Sequence, residues 1–215
     1  MEQQQIYKHI DHTQLKQTAD WASIQKLCDE AILGGAASVC IPPCYVKRAC
    51  QYVQGRIKIC TVIGFPNGYQ TTMVKLVETK EALADGADEI DMVINLCHVK
   101  NGDFAKVAHE IKALKTACGQ RTLKVIVETC FLTEEEKIKL CHIVTQAGAD
   151  YIKTSTGFGS GGATLEDVQL FRREVGADVK IKAAGGIRTV DDAVKMLEAG
   201  ADRLGSSALL KGLTE

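Results

Sequence analysis

A short phrase, glycine-alanine-aspartate, recurs along the chain where predicted helices end. It occurs at residues 86–88, 148–150, 176–178 and 200–202. Glycine is favoured at the left-handed C-cap of a helix, and aspartate is favoured in the turn that leads into the next strand. The glycines that end the predicted helices, from Gly35 to Gly200, are about 20 to 33 residues apart, close to the length of one strand plus one helix. The recurrence therefore predicts a chain built from repeated strand–helix units.

Hydrophobic periodicity divides the chain into eight short apolar strands and seven amphipathic helices. The strands are predicted at residues 6–11, 38–41, 58–65, 89–94, 122–128, 151–155, 180–184 and 203–206. The helices are predicted at residues 20–33, 44–53, 71–84, 103–118, 133–146, 165–175 and 190–197. Asp20 is the expected N-cap of the first helix, and Thr133 with Glu136 forms a capping box. The tail at residues 208–210 is also predicted to be helical.

Eight consecutive strand–helix units favour an α/β fold, a single (β/α)8 TIM barrel, because right-handed units of this kind close into a ring. An open, doubly wound sheet is the alternative. That fold commonly carries a Gly-x-Gly-x-x-Gly loop after its first strand, and the sequence has none there. No break in composition marks a second domain, so residues 1–215 are predicted to form one TIM-barrel domain.

Charge and cysteine content exclude several classes of partner. The net charge is −1, which argues against nucleic acid and against an anionic membrane surface. The N-terminus is polar, and no apolar run approaches the roughly 18 residues that a membrane span needs. The nine cysteines are scattered through apolar segments, and Cys40 and Cys44 lack the second pair that a zinc site requires. We therefore expect a cytoplasmic protein without a metal site.

Functional groups of a TIM barrel lie at the carboxyl ends of its strands. That rule selects Asp11, Cys40, Asn67, Asp91, Asn95, Glu128, Lys153, Lys182, Arg188 and Ser206. Two of them, Lys153 and Lys182, lie at matching depth on successive strands. A single lysine that reaches solvent from a strand end is ordinary, but two at matching depth are hard to explain by packing. Both are candidates for chemistry inside the barrel.

Asp91 lies within an apolar strand, on the face opposite Ile90 and Met92. A lone buried charge costs several kcal/mol, so this carboxylate is either paired with a barrel lysine or functional. Two close ammonium groups disfavour each other's charged forms, and burial acts in the same direction. A lysine that is neutral for part of the time attacks carbonyl carbon and forms a Schiff base. The cluster therefore predicts covalent chemistry that makes or breaks a carbon–carbon bond without a metal.

Glycine-rich loops follow the last strands, where barrels of this class often bind phosphate. The candidate phosphate-binding residues are Gly157, Gly185, Gly186, Arg188, Gly205, Ser206 and Ser207. Their glycines allow backbone N–H groups to approach an anion, and the two serines add hydroxyl groups at the start of a short helix. The segment 157–162, with four glycines in six residues, is a further candidate for sugar or phosphate contact.

Four segments together resemble the deoxyribose-phosphate aldolase family. They are YIKTSTGF at 151–158, KAAGGIR at 182–188, EIDMV at 89–93 and IDHTQL at 10–15. The resemblance runs from about residue 6 to 210. It implies a class I aldolase that reversibly cleaves 2-deoxy-D-ribose 5-phosphate to D-glyceraldehyde 3-phosphate and acetaldehyde, without a cofactor.

The resemblance also implies a role for particular residues. Lys153 would form the Schiff base, and Lys182 would be the neighbouring cation that makes this amine easier to deprotonate. Asp91 would be the acid/base that relays protons together with a water, and Asp11 would belong to the polar network behind it. Cys40 matches a pocket cysteine of the family, although a buried strand thiol is the ordinary interpretation.

Two other functions remain open at this stage. The first is a phosphosugar isomerase or epimerase that uses Asp91 as a base without a covalent intermediate. The second is a barrel that binds a phosphosugar without turnover. The histidines form no convergent set, so a metal-dependent aldolase is not predicted. In each case the expected partner is a small phosphosugar, and the chain is expected to form a homodimer or homotetramer.

Overall fold

The computed structural model describes residues 2–214, and their eight strands close into one parallel barrel in chain order. The strands are β1 Ile10–Thr13, β2 Ser38–Ile41, β3 Lys58–Ile63, β4 Glu89–Val93, β5 Thr122–Ile126, β6 Tyr151–Lys153, β7 Lys180–Ala184 and β8 Arg203–Ser206. Strand β1 pairs with both β2 and β8, which completes the ring. The predicted TIM barrel is confirmed, and the open-sheet alternative is wrong.

The helices lie outside the barrel: the first precedes β1, and one or two lie between each strand and the next. They are α1 Gln3–Tyr7, α2 Trp21–Gly34, α3 Val46–Val53, α4 Thr72–Ala84, α5 Leu96–Lys100, α6 Phe104–Cys118, α7 Glu134–Gln146, α8 Leu165–Glu174 and α9 Val190–Glu198. Asp20 accepts a hydrogen bond from the Ser23 backbone, and Thr133 forms the expected capping box with Glu136. Within residues 2–214, every helix is too short or too polar to cross a membrane.

Two local predictions are wrong, and one short helix was not predicted. Residues 6–11 do not form the first strand, because Ile6 and Tyr7 are the buried face of α1 and the strand begins at Ile10. The tail at 208–210 forms turns rather than a helix, although Leu210 is fully buried. Short helix α5 was not predicted, and Asn95 caps it by accepting the backbone N–H of Cys97.

Alternation along each strand separates an apolar layer from a polar barrel interior. On β4, Ile90 and Met92 pack outward into the main core between strands and helices, whereas Asp91 points into the barrel. Register then aligns the inward groups of neighbouring strands, since Asp91 is paired with Lys124 and Lys153 is paired with Lys182. The polar cluster therefore follows directly from register.

The glycine-alanine-aspartate junctions hold this register at the amino end of the barrel. Asp88 accepts the backbone N–H of Ile59 at 3.0 Å, and Asp150 accepts that of Leu123 at 2.7 Å. Asp202 accepts that of Ile181 at 2.8 Å. Each aspartate precedes one strand and bonds the strand before it, so β3 is joined to β4, β5 to β6 and β7 to β8. The fourth aspartate of the series, Asp178, is exposed to solvent.

Candidate active site

Three of the selected residues meet inside the barrel around one carboxylate. The Nζ atoms of Lys153 and Lys182 each donate to the same oxygen, Oδ2 of Asp91, at 2.7 Å. Lys182 also donates to Asp11, which in turn accepts a hydrogen bond from Ser38 at 2.7 Å. All four ionisable side chains of this group are buried, and Lys153 retains 3% of its accessible surface.

The cluster contains three residues that the sequence rule missed. Lys124 Nζ lies 2.9 Å from Asp91 Oδ1 and 2.6 Å from Glu89 Oε2. Arg203 bridges Asp11 at 2.6 Å and Glu89 at 3.2 Å. Glu89 and Arg203 begin their strands, so a rule restricted to carboxyl ends excludes them. Lys124 did carry a signal, because it lies in the middle of an apolar five-residue strand, as Lys182 does.

Burial and ion pairing act against each other throughout the cluster. Burial favours protonated Asp91, but Lys124, Lys153 and Lys182 outweigh burial and hold the pKa of this carboxyl well below its usual range. Burial favours neutral Lys182, but Asp11 and Asp91 outweigh it and raise the pKa of Lys182. The same balance lowers the pKa of Asp11 and raises the pKa of Lys124. Asp91 is thus an ionised acceptor for amines, and Lys182 is a fixed cation.

Two cysteines lie beside the cluster on neighbouring strands. Cys40 and Cys60 are register partners, and both are fully buried. Cys60 Sγ lies 3.1 Å from Asp91 Oδ1 and 3.3 Å from Lys124 Nζ. Burial raises the pKa of the Cys60 thiol, so this thiol is an uncharged neighbour of Asp91. Cys40 packs with Cys60 and Val62 against Leu15 and Phe65.

Two groups of three side chains have the spacing of a metal site. They are Cys40, Cys60 and Asp91, and Asp11, Cys60 and Glu89. The carboxylates of both groups already contact Lys124, Lys182 or Arg203 at ion-pair distance. A divalent cation would lie next to these ammonium and guanidinium groups, and their charges oppose it. The arrangement is that of a salt-bridge network in which each carboxylate already has cationic partners.

A cavity of about 300 Å³ opens at the carboxyl end of the barrel, and Lys153 is the one member of the cluster that borders it. Its lining residues are Thr13, Gln14, Leu15, Lys16, Lys153, Thr156, Gly157, Phe158, Ala184, Gly185, Gly186, Ile187, Arg188, Gly205, Ser206 and Ser207. Every candidate phosphate-binding residue is among them. The cavity therefore connects the amine of Lys153 with the glycine-rich loops.

Glycine is required at several positions of this rim. Gly157, Gly185 and Gly186 have φ between 85° and 86°, a region that side chains with a Cβ rarely adopt. Gly162 packs directly on Gly185, since an added Cβ would lie 2.3 Å from the Gly185 oxygen. Of the glycine-rich segment 157–162, only Gly157 and Phe158 border the main pocket. The rest of the segment serves mainly to pack one loop on the next.

The two serines at the carboxyl end of β8 differ from expectation. Ser206 is buried, and its hydroxyl donates to the Ile187 carbonyl at 2.9 Å while it accepts the Ala208 N–H at 3.2 Å. Its side chain therefore joins the two loops. Ser207 is exposed, and the turns that follow it replace the expected helix N-terminus. The Arg188 backbone N–H is bonded to Asp192, and its side chain extends into solvent.

The remaining selected residues have structural partners. Asn67 donates to the Tyr69 hydroxyl at 2.9 Å, and Asn95 caps α5. Glu128 is buried and accepts hydrogen bonds from Thr156. A second cavity of about 310 Å³ adjoins the first and is lined mainly by apolar groups. Phe158 and Phe65, whose rings meet edge to face at 5.3 Å, border it.

Comparison with known proteins extends the geometric argument. Residues 6–214 match the model of the DeoC/LacD family aldolases. The chain is 59% identical to the deoxyribose-phosphate aldolase of Clostridioides difficile over 96% of this chain and 94% of that protein. It is 58% identical to that of Clostridium botulinum strain Alaska E43 over 99% and 97%.

A solved structure agrees with the fold. The tetrameric deoxyribose-phosphate aldolase of Aeropyrum pernix superposes with a TM-score of 0.90 at 31% identity, covering 99% of this chain and 91% of that one. The match to the family model and the near-complete coverage of the relatives lead to the same conclusion. The chain belongs to the DeoC/LacD family of aldolases.

Proposed function

We propose that the chain is a class I aldolase that reversibly cleaves 2-deoxy-D-ribose 5-phosphate to D-glyceraldehyde 3-phosphate and acetaldehyde, with Lys153 as the Schiff-base residue. The observation that carries the proposal is that Lys153 joins a buried ionic cluster on one side and the open pocket on the other. Because the chain belongs to an aldolase family, an aldolase is favoured over the isomerase and the non-catalytic binding protein that the sequence alone left open.

The charge balance of the cluster supports an amine nucleophile. When every group is ionised, the cluster has four cations and three carboxylates, and therefore one excess positive charge. The cations are Lys124, Lys153, Lys182 and Arg203, and the carboxylates are Asp11, Glu89 and Asp91. Loss of one proton makes the cluster neutral. Lys153 is the amine that reaches the pocket, so it is the one that substrate can meet in its neutral form.

The reaction then follows from ordinary imine chemistry. Neutral Lys153 attacks C1 of the open-chain sugar, and loss of water from the carbinolamine gives a protonated imine. Removal of the C3 hydroxyl proton breaks the C2–C3 bond, and its electron pair moves into the imine to give an enamine. Glyceraldehyde 3-phosphate leaves, the enamine takes a proton at C2, and hydrolysis releases acetaldehyde and the free amine.

Asp91 is the proposed acid/base, together with a water, because its Oδ2 lies 2.7 Å from Lys153 Nζ. Lys182 contacts the same carboxylate oxygen and is the proposed neighbouring cation, since a like charge beside an amine favours its neutral form. Asp11 is proposed to hold Lys182 in place by accepting a hydrogen bond from its ammonium group. Cys40 is a packing residue below the pocket in this proposal. The protonated imine is the electron sink, so the mechanism uses no cofactor.

The rim would hold the substrate phosphate. The proposed contacts are the backbone N–H groups of Gly157, Gly185, Gly186 and Gly205 and the side chains of Arg188 and Ser207. Ser206 holds the two loops together through its bond to the Ile187 carbonyl. Glycines with positive φ allow close approach of an anion, and Arg188 provides the charge. Phe158 adds an apolar wall, so the phosphate would depend on the loops after β7 and β8.

We also expect a cytoplasmic homodimer or homotetramer. Met73 and Val77 lie one turn apart on α4 and are 68% and 57% exposed, as expected of an apolar face that a second copy covers. The relative from Aeropyrum pernix is tetrameric.

Trapping with borohydride tests the Schiff base. The protein is incubated with acetaldehyde and sodium borohydride and then digested for mass mapping. We expect an ethyl adduct on Lys153 and none on Lys182 or Lys124. The Lys153→Arg variant is the matched control, since it keeps the positive charge and cannot form an imine. Turnover of deoxyribose 5-phosphate by a protein that traps no adduct would overturn the proposal.

A further inference from the structure

Glu128, directly after β5, has an unusual backbone and an unusual environment. Its φ of 56° and ψ of 68° place a non-glycine residue in the left-handed region. Among residues 2–214, the other such residue is Gln54, an exposed helix C-cap where this conformation is common. Glu128 is instead 97% buried at the barrel mouth. Strain of this kind persists where the surroundings hold the residue in place, and it is concentrated at functional sites.

The side chain of Glu128 is directed at a single residue. Its Oε1 accepts the Thr156 backbone N–H at 3.1 Å, and its Oε2 accepts the Thr156 hydroxyl. Gly159 packs against the same carboxylate, and an added Cβ there would lie 3.2 Å from its carbon. Thr156 lies three residues beyond Lys153 and borders the same pocket. Glu128 thus fixes a pocket residue without bordering that pocket itself.

The two bonds determine the hydrogen-bonding polarity of the Thr156 hydroxyl. A hydroxyl has one proton and two acceptor sites. The Thr156 hydroxyl donates its proton to Oε2 of Glu128. One acceptor site of Thr156 takes the Phe158 N–H at 3.0 Å. What remains for the pocket is a single lone pair, which accepts a hydrogen bond from a ligand and cannot donate one.

We propose that Glu128 is a positioning residue that makes Thr156 a hydrogen-bond acceptor for a hydroxyl in the middle of the substrate chain. The proposal rests on the proposed function, in which the substrate extends from Lys153 to the phosphate loops. Thr156 lies between these two ends in the chain, directly before Gly157. The hydroxyls on the middle carbons of an open-chain deoxyribose phosphate are donors and match a lone pair. The reacting carbonyl is an acceptor and does not.

Glu128→Gln tests the polarity with little change of shape. The amide oxygen can still accept the Thr156 N–H, while the amide nitrogen donates to the Thr156 oxygen and turns the hydroxyl proton away. The C4 hydroxyl is the one meant, because it keeps its proton during cleavage whereas the C3 hydroxyl loses it. We expect KM for deoxyribose 5-phosphate to rise about tenfold and kcat to change less than about threefold, because the contact to C4 exists in both ground and transition states. Thr156→Val should give a similar KM, and the double variant should be no worse than either single variant.

Acetaldehyde lacks the middle hydroxyls and provides the internal comparison. Its borohydride-trapped adduct on Lys153 should form in Glu128→Gln at the wild-type rate. Glu30→Gln is the matched control: Glu30 is equally buried and also accepts two hydrogen bonds, from His12 and Gly212, but it lies on α2. We expect the control to lower the melting temperature and leave KM unchanged. If Glu128→Gln does not fold, the KM of Thr156→Val decides the question alone.

Three results would overturn the proposal. The first is an unchanged KM in Glu128→Gln or Thr156→Val, and the second is a double variant whose rise in KM is the product of the two single rises. The third is that Glu128→Gln slows the trapping of acetaldehyde as much as it impairs the reaction of deoxyribose 5-phosphate. The last would mean that Glu128 only supports the lysine. A wild-type protein that traps no adduct would instead reject the Schiff-base mechanism. The coupling between Glu128 and Thr156 would then still be measurable by calorimetric titration with deoxyribose 5-phosphate.

Discussion

Two regions of the molecule bury lysine, and they do so differently. Outside the barrel, Lys75 on α4 is fully buried with one carboxylate, Glu110 Oε2 at 2.9 Å, and one carbonyl, Val93 at 2.8 Å. Burial lowers the pKa of Lys75, and Glu110 offsets this only in part. Inside the barrel, Lys182 contacts two carboxylates, and these raise its pKa in spite of complete burial.

The comparison separates burial from function. A lysine with a lowered pKa is often taken as a sign of a catalytic site, yet Lys75 is sealed between helices and strand. Lys153 differs in two respects: it shares Asp91 with Lys182, and it borders a cavity. A charge network that opens onto a pocket is therefore the better indicator of chemistry than a buried amine alone.

The largest expected loss of activity is for substitution of Lys153, which borders the pocket, in contrast to the sealed Lys75. Lys153→Ala should reduce kcat/KM for deoxyribose 5-phosphate by at least about 10³-fold, since it removes the proposed nucleophile. Lys153→Arg should lose as much activity while it keeps the ion pair with Asp91. Steady-state assays and circular dichroism measure both, and the barrel should remain folded. Retained activity in either variant would reject the assignment of Lys153.

The next effect concerns Lys182, the cation beside the proposed nucleophile. Lys182→Met removes the positive charge that contacts the same oxygen of Asp91 as Lys153 does. A like charge beside an amine favours the neutral form that Schiff-base formation needs. The acidic limb of the kcat/KM profile should move to higher pH, and activity at pH 7 should fall by about 10²-fold. Lys182→Arg is the control that keeps the charge. An unchanged profile in Lys182→Met would contradict the tuning role.

The smallest effect on activity is expected at the pair outside the barrel. Lys75→Met should lower the free energy of unfolding by about 3–5 kcal/mol, because it leaves Glu110 buried and unpaired. The double variant Lys75→Met, Glu110→Met should recover most of that loss, and activity should stay within about twofold of wild type. Urea denaturation with parallel assays measures this. A large loss of activity in the folded double variant would show that Lys75 contributes to catalysis.

The fold was predictable from sequence because several independent signals indicate the same repeated strand–helix unit. Glycine at helix ends, aspartate at strand entries and alternation within strands all indicate repeated units. The predicted start of the first strand was wrong because Ile6 and Tyr7 suit the buried face of a helix as well as they suit a strand. The prediction of a helical tail was wrong because Leu210 is buried by packing near Gly34. Local periodicity does not contain such a tertiary contact.

The site was predictable only in part, for a geometric reason. Alternation places Asp91, Lys153 and Lys182 on the inner face, and the structure brings them together. Glu89 and Arg203 lie at the amino ends of their strands, and they join the cluster because the strands of a barrel are staggered. The link between Glu128 and Thr156 depends on a left-handed residue, which the sequence does not reveal when that residue is glutamate rather than glycine.

The aspartates at the amino end of the barrel have a consequence for loop engineering. A shift of one residue in a strand turns every side chain to the opposite face, so a shifted β7 would direct Lys182 at the helices. Asp202 holds the Ile181 amide and prevents that shift from the end of the barrel opposite the pocket. The register that places Lys182 beside Lys153 is thus held at the end of the barrel opposite the loops that border the pocket. We expect those loops to be exchangeable while the two amines keep their positions.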